Sequence, residues 1–198
     1  MSVRKSVDPT ATREEESNTR IDEDYFRIVR SLGDQLITPS SEVALIKKDL
    51  GAAYVPAGSY GGAVVSGTRQ SILCAPGAKF TKQVVVRGFA MIKNATLLCE
   101  GNTPAIVVEA GGSLLLSGCL VSKGDAPTDR YITVQTGGYA TVSNCAFFGD
   151  QGATGTVITN EDAGNPQRVA VVGCMNLTTI IAATRYTNVT FVQDVAVP

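Results

Sequence analysis

The stretch PAIVVEAGGSLLLSGCLVSKG, residues 104–124, superposes without a gap on RYITVQTGGYATVSNCAFFGD, residues 130–150. The offset is 26 residues (130 − 104). Ile106 falls on Ile132, Val108 on Val134, Gly111-Gly112 on Gly137-Gly138, Ser117 on Ser143 and Cys119 on Cys145. Leu116 falls on Val142 and Val121 on Phe147. Short apolar runs broken by glycine pairs at such a period predict strands stacked into a solenoid. Strand alternation then points Leu114, Leu116, Ala140 and Val142 inward, and Leu115 and Thr141 outward. A repeat of this size holds three short strands and their corners, the proportion of a right-handed parallel β-helix. Over residues 52–198 it leaves room for five or six turns, a column on the order of 25 Å tall.

The repeat extends both ways. Val169 to Cys174 matches Ala140 to Cys145 at an offset of 29 (169 − 140), with the three extra residues assigned to the acidic bulge Asn160 to Pro166. Upstream, Val84 to Phe89 is aligned with Leu114 to Cys119 at an offset of 30 (114 − 84). Gly58, Gly61-Gly62, Gly67 and Pro76-Gly77 punctuate earlier runs such as Ala63 to Val65 and Ser71 to Cys74. Before them, residues 24–51 read as a capping helix and a first strand. Tyr25, Val29 and Leu32 share a helical face that Gly33 stops, and Val43 to Ile46 is the strand. The helix is expected to cover the open end of the column, where unpaired strand edges invite association. Residues 1–23 are polar and charged with almost no apolar content, which predicts a flexible arm that orders on a partner.

Composition narrows the function. The chain has 198 residues, a net charge of −1 and no histidine. That balance argues against nucleic acid as a main partner. No apolar run approaches the roughly 20 residues of a membrane span. The first residues lack the apolar core of a secretory signal, so synthesis in a cytosol is expected. Without histidine the usual Ser-His-Asp and Cys-His arrangements cannot be built. Carboxylates are the remaining route to hydrolysis: Asp125, Asp129, Asp150, Glu161 and Asp162 cluster in loops. A glycosidase pair among them would need a long groove with aromatic platforms, and there is no Trp. They read as solvated turn residues. Asn160-Glu161-Asp162 lacks the alternation of a calcium loop. No catalytic residue, metal or cofactor is assigned.

Cys119, Cys145 and Cys174 occupy one position in successive turns and predict an internal thiol ladder of small buried groups. A disulfide or metal ladder is the alternative, and Cys74 and Cys99 read as core. Gly111-Gly112 and Gly137-Gly138 read as turn glycines. The sequons at Asn94, Asn176 and Asn188 carry no glycosylation argument.

The combination of a polar arm (1–23), a capping helix and repeats at 104–124 and 130–150 resembles virion proteins of tailed bacteriophages. The resemblance is at the level of architecture. It implies a structural protein of the virion, made in the bacterial cytoplasm. One branch is capsid cement or decoration proteins, which form homotrimers and staple the major capsid protein shell through extended arms. On that branch Arg4, Lys5, Arg13, Tyr25 and Phe26 would contact the shell, and Leu115 and Phe148 would mark the subunit interface. The other branch is a tail spike, fibre or neck component that binds or cleaves host surface polysaccharide. A self-polymerising bacterial β-helix scaffold is a further reading of the same repeats.

Overall fold

The computed structural model describes residues 35–36, 40–46, 51–68, 70–99, 103–123, 130–149, 156–178 and 186–191. All belong to one compact unit, Gln35–Pro198. Among the described residues every strand pairing is parallel. Eight strands stack into a first wall: Gln35–Leu36, Gly51–Val55, Gln70–Cys74, Phe89–Lys93, Ser113–Ser117, Tyr139–Ser143, Val169–Val172 and Thr190–Phe191. A second sheet of 12 strands turns a corner and makes two more walls.

The second wall stacks the front of Gly58–Val65 with Ala78–Phe80, Thr96–Cys99, Leu120–Lys123, Ala146–Gly149 and Met175–Thr178. The third stacks the back of Gly58–Val65 with Val84–Val86, Ile106–Val108, Arg130–Val134, Thr156–Asn160 and Tyr186–Thr187. Ser40–Ile46, which contains the expected first strand, pairs with Gly58–Val65. The chain visits the walls in the order first, second, third and back to the first. This is a parallel β-solenoid.

Gly58–Val65 crosses from second wall to third without a break because Gly62 bends it. Its φ is 148°, and a Cβ there would lie 2.6 Å from the Gln83 carbonyl oxygen. The bend brings two backbones closer than any side chain permits.

The core is a set of columns, one residue per turn. Ile72, Ile92, Leu116, Val142 and Val171 line up in the first wall, all buried. Tyr60, Phe80, Leu97, Val121 and Phe147 do so in the second. Val65, Val86, Val108 and Val134 fill the third. Buried apolar side chains of this size each stabilise by about 1.5–3 kcal/mol. The β-branched ones also suit the pleat. Leu114 and Leu116 point in and Leu115 is half-exposed, as the alternation requires. The buried Tyr60 and Tyr131 hydroxyls donate to the carbonyls of Pro56 and Phe148, each at 2.7 Å, so neither ring strands a polar atom.

The register confirms the 26-residue repeat in every pair tested: Leu114 sits on Ala140, Leu116 on Val142 and Ile106 on Ile132. Ala140 pairs with Val169, the offset of 29, while Val134 still pairs with Asn160 at 26 (160 − 134). The three extra residues therefore fall between 160 and 169, in the bulge. The alignment of Val84 to Phe89 with Leu114 to Cys119 is wrong. Val84 pairs with Ile106 in the third wall, and Phe89 pairs with Ser113 in the first. The short run Val84–Val86 has the same apolar character as a first-wall strand, and only the corners distinguish them. The expected arm (1–23) and capping helix (24–33) lie outside the described residues. Among those residues the sole helical piece is the 3-10 turn Pro166–Arg168.

The glycine pairs are turn glycines for two separate reasons. Gly111 and Gly137 have φ of 79° and 88°, the left-handed region. Gly112 fills a close approach instead, since a Cβ there would lie 2.5 Å from the Val86 carbonyl oxygen. Around Gly111 there is open space. Chemical denaturation should separate the two: Gly111→Ala costs about 1–2 kcal/mol of backbone strain. Gly112→Ala must displace a rung of backbone and is expected to cost more than Gly111→Ala. Equal effects would show the Gly112 approach to be looser than described.

Candidate interaction surface

The corner between the first and second walls is the most regular part of the molecule. From Ile92 to Leu97, Leu116 to Val121 and Val142 to Phe147 the chain takes five residues each time (97 − 92, 121 − 116, 147 − 142). One left-handed residue makes the bend in each turn: Asn94 at φ 60°, Gly118 at 63°, Asn144 at 51° and Gly173 at 57°. Glycine and asparagine are the residues that enter this region at least cost. They alternate for a packing reason. A Cβ on Gly118 would meet Asn94 Oδ1 at 2.9 Å, and one on Gly173 would meet Asn144 Oδ1 at 3.0 Å. Each asparagine amide lies over the glycine of the next turn.

Inside this corner lies the thiol ladder. Cys119, Cys145 and Cys174 follow Gly118, Asn144 and Gly173 and are all buried. All three are free thiols, as is Cys74. They repeat one hydrogen bond, donating to the carbonyl two residues back: Ser117 at 3.4 Å, Ser143 at 3.3 Å and Val172 at 3.6 Å. The hydrogen bond with Cys145 holds the Cys119 thiol below its ordinary value, and the same bond with Cys119 pushes Cys145 up to about 12. Burial alone pushes Cys74 up to about 12. Cys74 and Cys145 are therefore structural thiols that stay protonated at neutral pH. The side chain of Cys99, also expected in the core, lies outside the described part of the structure.

The three carboxylates whose side chains are described are each engaged by an arginine. Glu109 meets Arg87 at 3.0 Å, Glu161 meets Arg130 at 3.0 Å and Asp162 meets Arg168 at 3.5 Å. Glu161 is exposed, as expected of a turn acid. Asp162 is not a solvated turn residue: its side chain is only 12% exposed, and it also accepts from Asn165 Nδ2 at 3.0 Å. Arg168 lies 4.8 Å from the centre of the Tyr139 ring, a cation–π contact that ties the bulge to the first wall. Asp125, Asp129 and Asp150 lie outside the described residues, as do Arg4, Lys5, Arg13, Tyr25 and Phe26.

Asn160 was read in the sequence only as part of the acidic bulge and of a segment weighed for calcium, yet it organises this end of the column. It continues the column Val65–Val86–Val108–Val134 and is fully buried. Its Oδ1 accepts from the Asp162 N–H at 3.0 Å, and its Nδ2 donates to the carbonyls of Asn165 at 3.1 Å and Asn188 at 2.9 Å. Asn188 Nδ2 returns a bond to the Asn160 carbonyl at 3.0 Å. The two amides thus clamp successive turns where the valines stop. Carrying the 26-residue offset from Val134 to position 160 would have exposed the break. With both amide groups committed, the segment Asn160-Glu161-Asp162 offers no cluster of free oxygens to a cation.

The outward faces differ. The large apolar groups that are exposed among the described residues are Leu73, Leu120, Tyr139, Met175 and Phe191. All sit on strands of the first or second wall or at the corner between them, and none on the third. Leu115 and Phe148 do point outward, on the first and second walls, but are half-buried. The third wall presents Val64, Val85, Val107 and Thr133. Thr133 is buried, and its hydroxyl has no hydrogen-bond partner.

No known protein family, no curated protein and no solved structure matches the chain.

Two measurements follow. Asn160→Val, which merely extends the valine column, should destabilise by about 2–4 kcal/mol in chemical denaturation, because two carbonyls and one N–H lose their partner. An unchanged midpoint would show that the clamp contributes nothing. Stability should also fall with pH above about 9. Cys74 ionises near 9 when unfolded but near 12 in the fold. Between these values the unfolded chain holds fewer protons, so this thiol removes about 1.4 kcal/mol of stability per pH unit. Replacing Cys74 by Ala should reduce that slope, and a slope unaffected by the replacement would refute the assignment.

Proposed function

We propose that this chain is a non-enzymatic structural protein of a bacteriophage virion, and that its work is adhesion. The observation that carries the reading is the state of its acids. The three carboxylates whose side chains are described, Glu109, Glu161 and Asp162, are each held by an arginine, and the chain has no histidine, so none of these three stands as a free acid beside a base. What it does offer is a stiff stack of parallel ladders with exposed apolar groups confined to two walls. Such a surface suits contact between proteins.

The virion assignment rests on the architectural resemblance of the arm, the helix and the repeats. Among virion roles, capsid cement or decoration fits a short solenoid without a long sugar groove. In this role the solenoid braces a neighbour, and the polar arm (1–23), with Arg4, Lys5 and Arg13, docks on the major capsid protein. Extended arms gain contact area at little cost in protein mass, and their ordering entropy makes docking reversible in assembly.

The test is a comparison of shells with and without the protein. Decorated shells should survive heating and low salt that disrupt bare ones, and deletion of residues 1–23 should abolish docking while the solenoid remains folded. Equal tolerance of bare and decorated shells would refute the cementing role. Cleavage of a bacterial surface polysaccharide by the purified protein would refute the non-enzymatic reading.

A further inference from the structure

Charge divides this chain in a way that the structural role just proposed does not use. From Gly51 to Cys99 there are five basic residues, Arg69, Lys79, Lys82, Arg87 and Lys93, and not one Asp or Glu. From residue 100 onward there are four basic residues and eight acidic ones, a net of −4 (4 − 8). The near-neutral total of −1 therefore conceals early turns that are wholly basic and later turns that are acidic.

The ladder places the basic residues. Lys93 ends a first-wall strand, and Leu73 lies on it in the turn before. Across the corner from Leu73, on the second wall, Lys79 pairs with Thr96 of the next turn. Leu73, Lys93, Lys79 and Thr96 thus surround one corner on two successive rungs. Lys82 follows where the second wall ends. All three lysines are exposed, and Leu73 is 40% exposed. No carboxylate among the described residues pairs with any of them. Arg87 is engaged by Glu109 and takes no part. Glu100 stands just past the acid-free stretch with its side chain outside the described residues, so Lys79 and Lys93 are the centre of charge.

We infer that this face, with Lys79 and Lys93 around Leu73 and Lys82 at its edge, docks a protein surface rich in carboxylates. The inference deepens the adhesive role and rests on it, giving the chemistry of the surface that the body of the solenoid meets. Charge of one sign, gathered at one corner without a neutralising partner, selects the opposite sign and speeds its approach. Two observations favour a protein over a nucleic acid. A nucleic acid is long and uniformly negative, and beyond the patch it would run towards turns that carry a net charge of −4. A compact acidic surface matches the patch in extent. Leu73 supplies the second observation. An exposed apolar group with charges around it has the anatomy of a protein interface, whereas a phosphate backbone gains nothing from it.

The experiment uses the full chain and, as probe, a fluorescein-labelled peptide of about ten glutamates, read by anisotropy at about 50 mM salt, where screening is weak. Lys79→Glu and Lys93→Glu should each weaken binding by about fivefold or more, and added salt should abolish it. Arg185→Glu makes the same change in net charge within the acidic part of the sequence and should weaken binding less. Lys79 and Lys93 are exposed, so both variants should keep the wild-type midpoint in chemical denaturation, which separates loss of docking from loss of fold. Equal losses from all three reversals would overturn the inference, because net charge alone would then explain them. Tighter binding of a short DNA duplex than of the peptide would overturn it in favour of nucleic acid. A change of oligomeric state in Lys93→Glu would overturn it in favour of a second copy. Shells that take up the wild type and the Lys79→Glu/Lys93→Glu double variant alike would overturn it and leave the cementing role intact. Shells that gain no tolerance from the protein would instead end the cementing role, whatever the peptide shows.

Discussion

Parallel hydrogen bonding between a turn and the next is the constraint on which everything else in this molecule depends. A lone turn of such a chain has three short strands and no way to bury its apolar side chains or pair its backbone. Stacked on a neighbour, it does both. The ladder forces like residues to superpose: Ile92 on Leu116 on Val142, Asn94 near Gly118, Cys119 beside Cys145. Every column is therefore a one-dimensional packing problem, solved once per turn. One turn before Ile92 this corner takes eight residues, Ile72 to Phe80 (80 − 72). From Ile92 onward the five-residue passage from first to second wall is the most tightly specified solution. It accepts one left-handed residue, an inward group small enough for the corner, and nothing longer.

The other two corners are free to vary, and the chain uses that freedom. Between second and third walls the connection grows from Thr81-Lys82-Gln83 to longer loops, and the turn length at the first wall rises from 18 residues (53 − 35) to 29 (169 − 140) before returning to 20 (190 − 170). This is why some of the fold was legible in sequence and some was not. Residues 104–124 and 130–150 share all their corners, so a gapless alignment reads the rungs, the inward and outward faces and the thiol ladder correctly. Val84 to Phe89 sits in a turn with shorter corners, and an apolar triplet without its corners cannot be told from its neighbour in another wall. Asn160 was hidden for a related reason. It looks like an ordinary loop residue until register places it under Val134, inside the core.

The surface was harder to read than the interior. Leu115 and Phe148 were expected to stand out, and both do face outward, but they are half-buried. Leu120 and Met175, each two residues past a left-handed corner glycine, are the more exposed groups. Asp162 shows the opposite effect. A carboxylate in an inserted loop would normally be solvated, but Arg168, Asn165 and the turn around Asn160 enclose it. In a solenoid, exposure is set by the curvature of the corner and the contents of the loops, and neither is visible in hydrophobic alternation.

A scaffold built this way suits a protein that holds others in place. Its interior tolerates little change, its corner ridge is repetitive and stiff, and its loops can lengthen without disturbing the stack. The central claim is that turns of unequal length nonetheless superpose residue by residue. Isotope-edited nuclear Overhauser measurements on the folded chain test it most directly. The account predicts backbone contacts linking Met91 to Leu115, Leu115 to Thr141 and Thr141 to Ala170, at offsets of 24 (115 − 91), 26 (141 − 115) and 29 (170 − 141). Contacts at other offsets, or the sequential amide pattern of helices across 104–150, would contradict it.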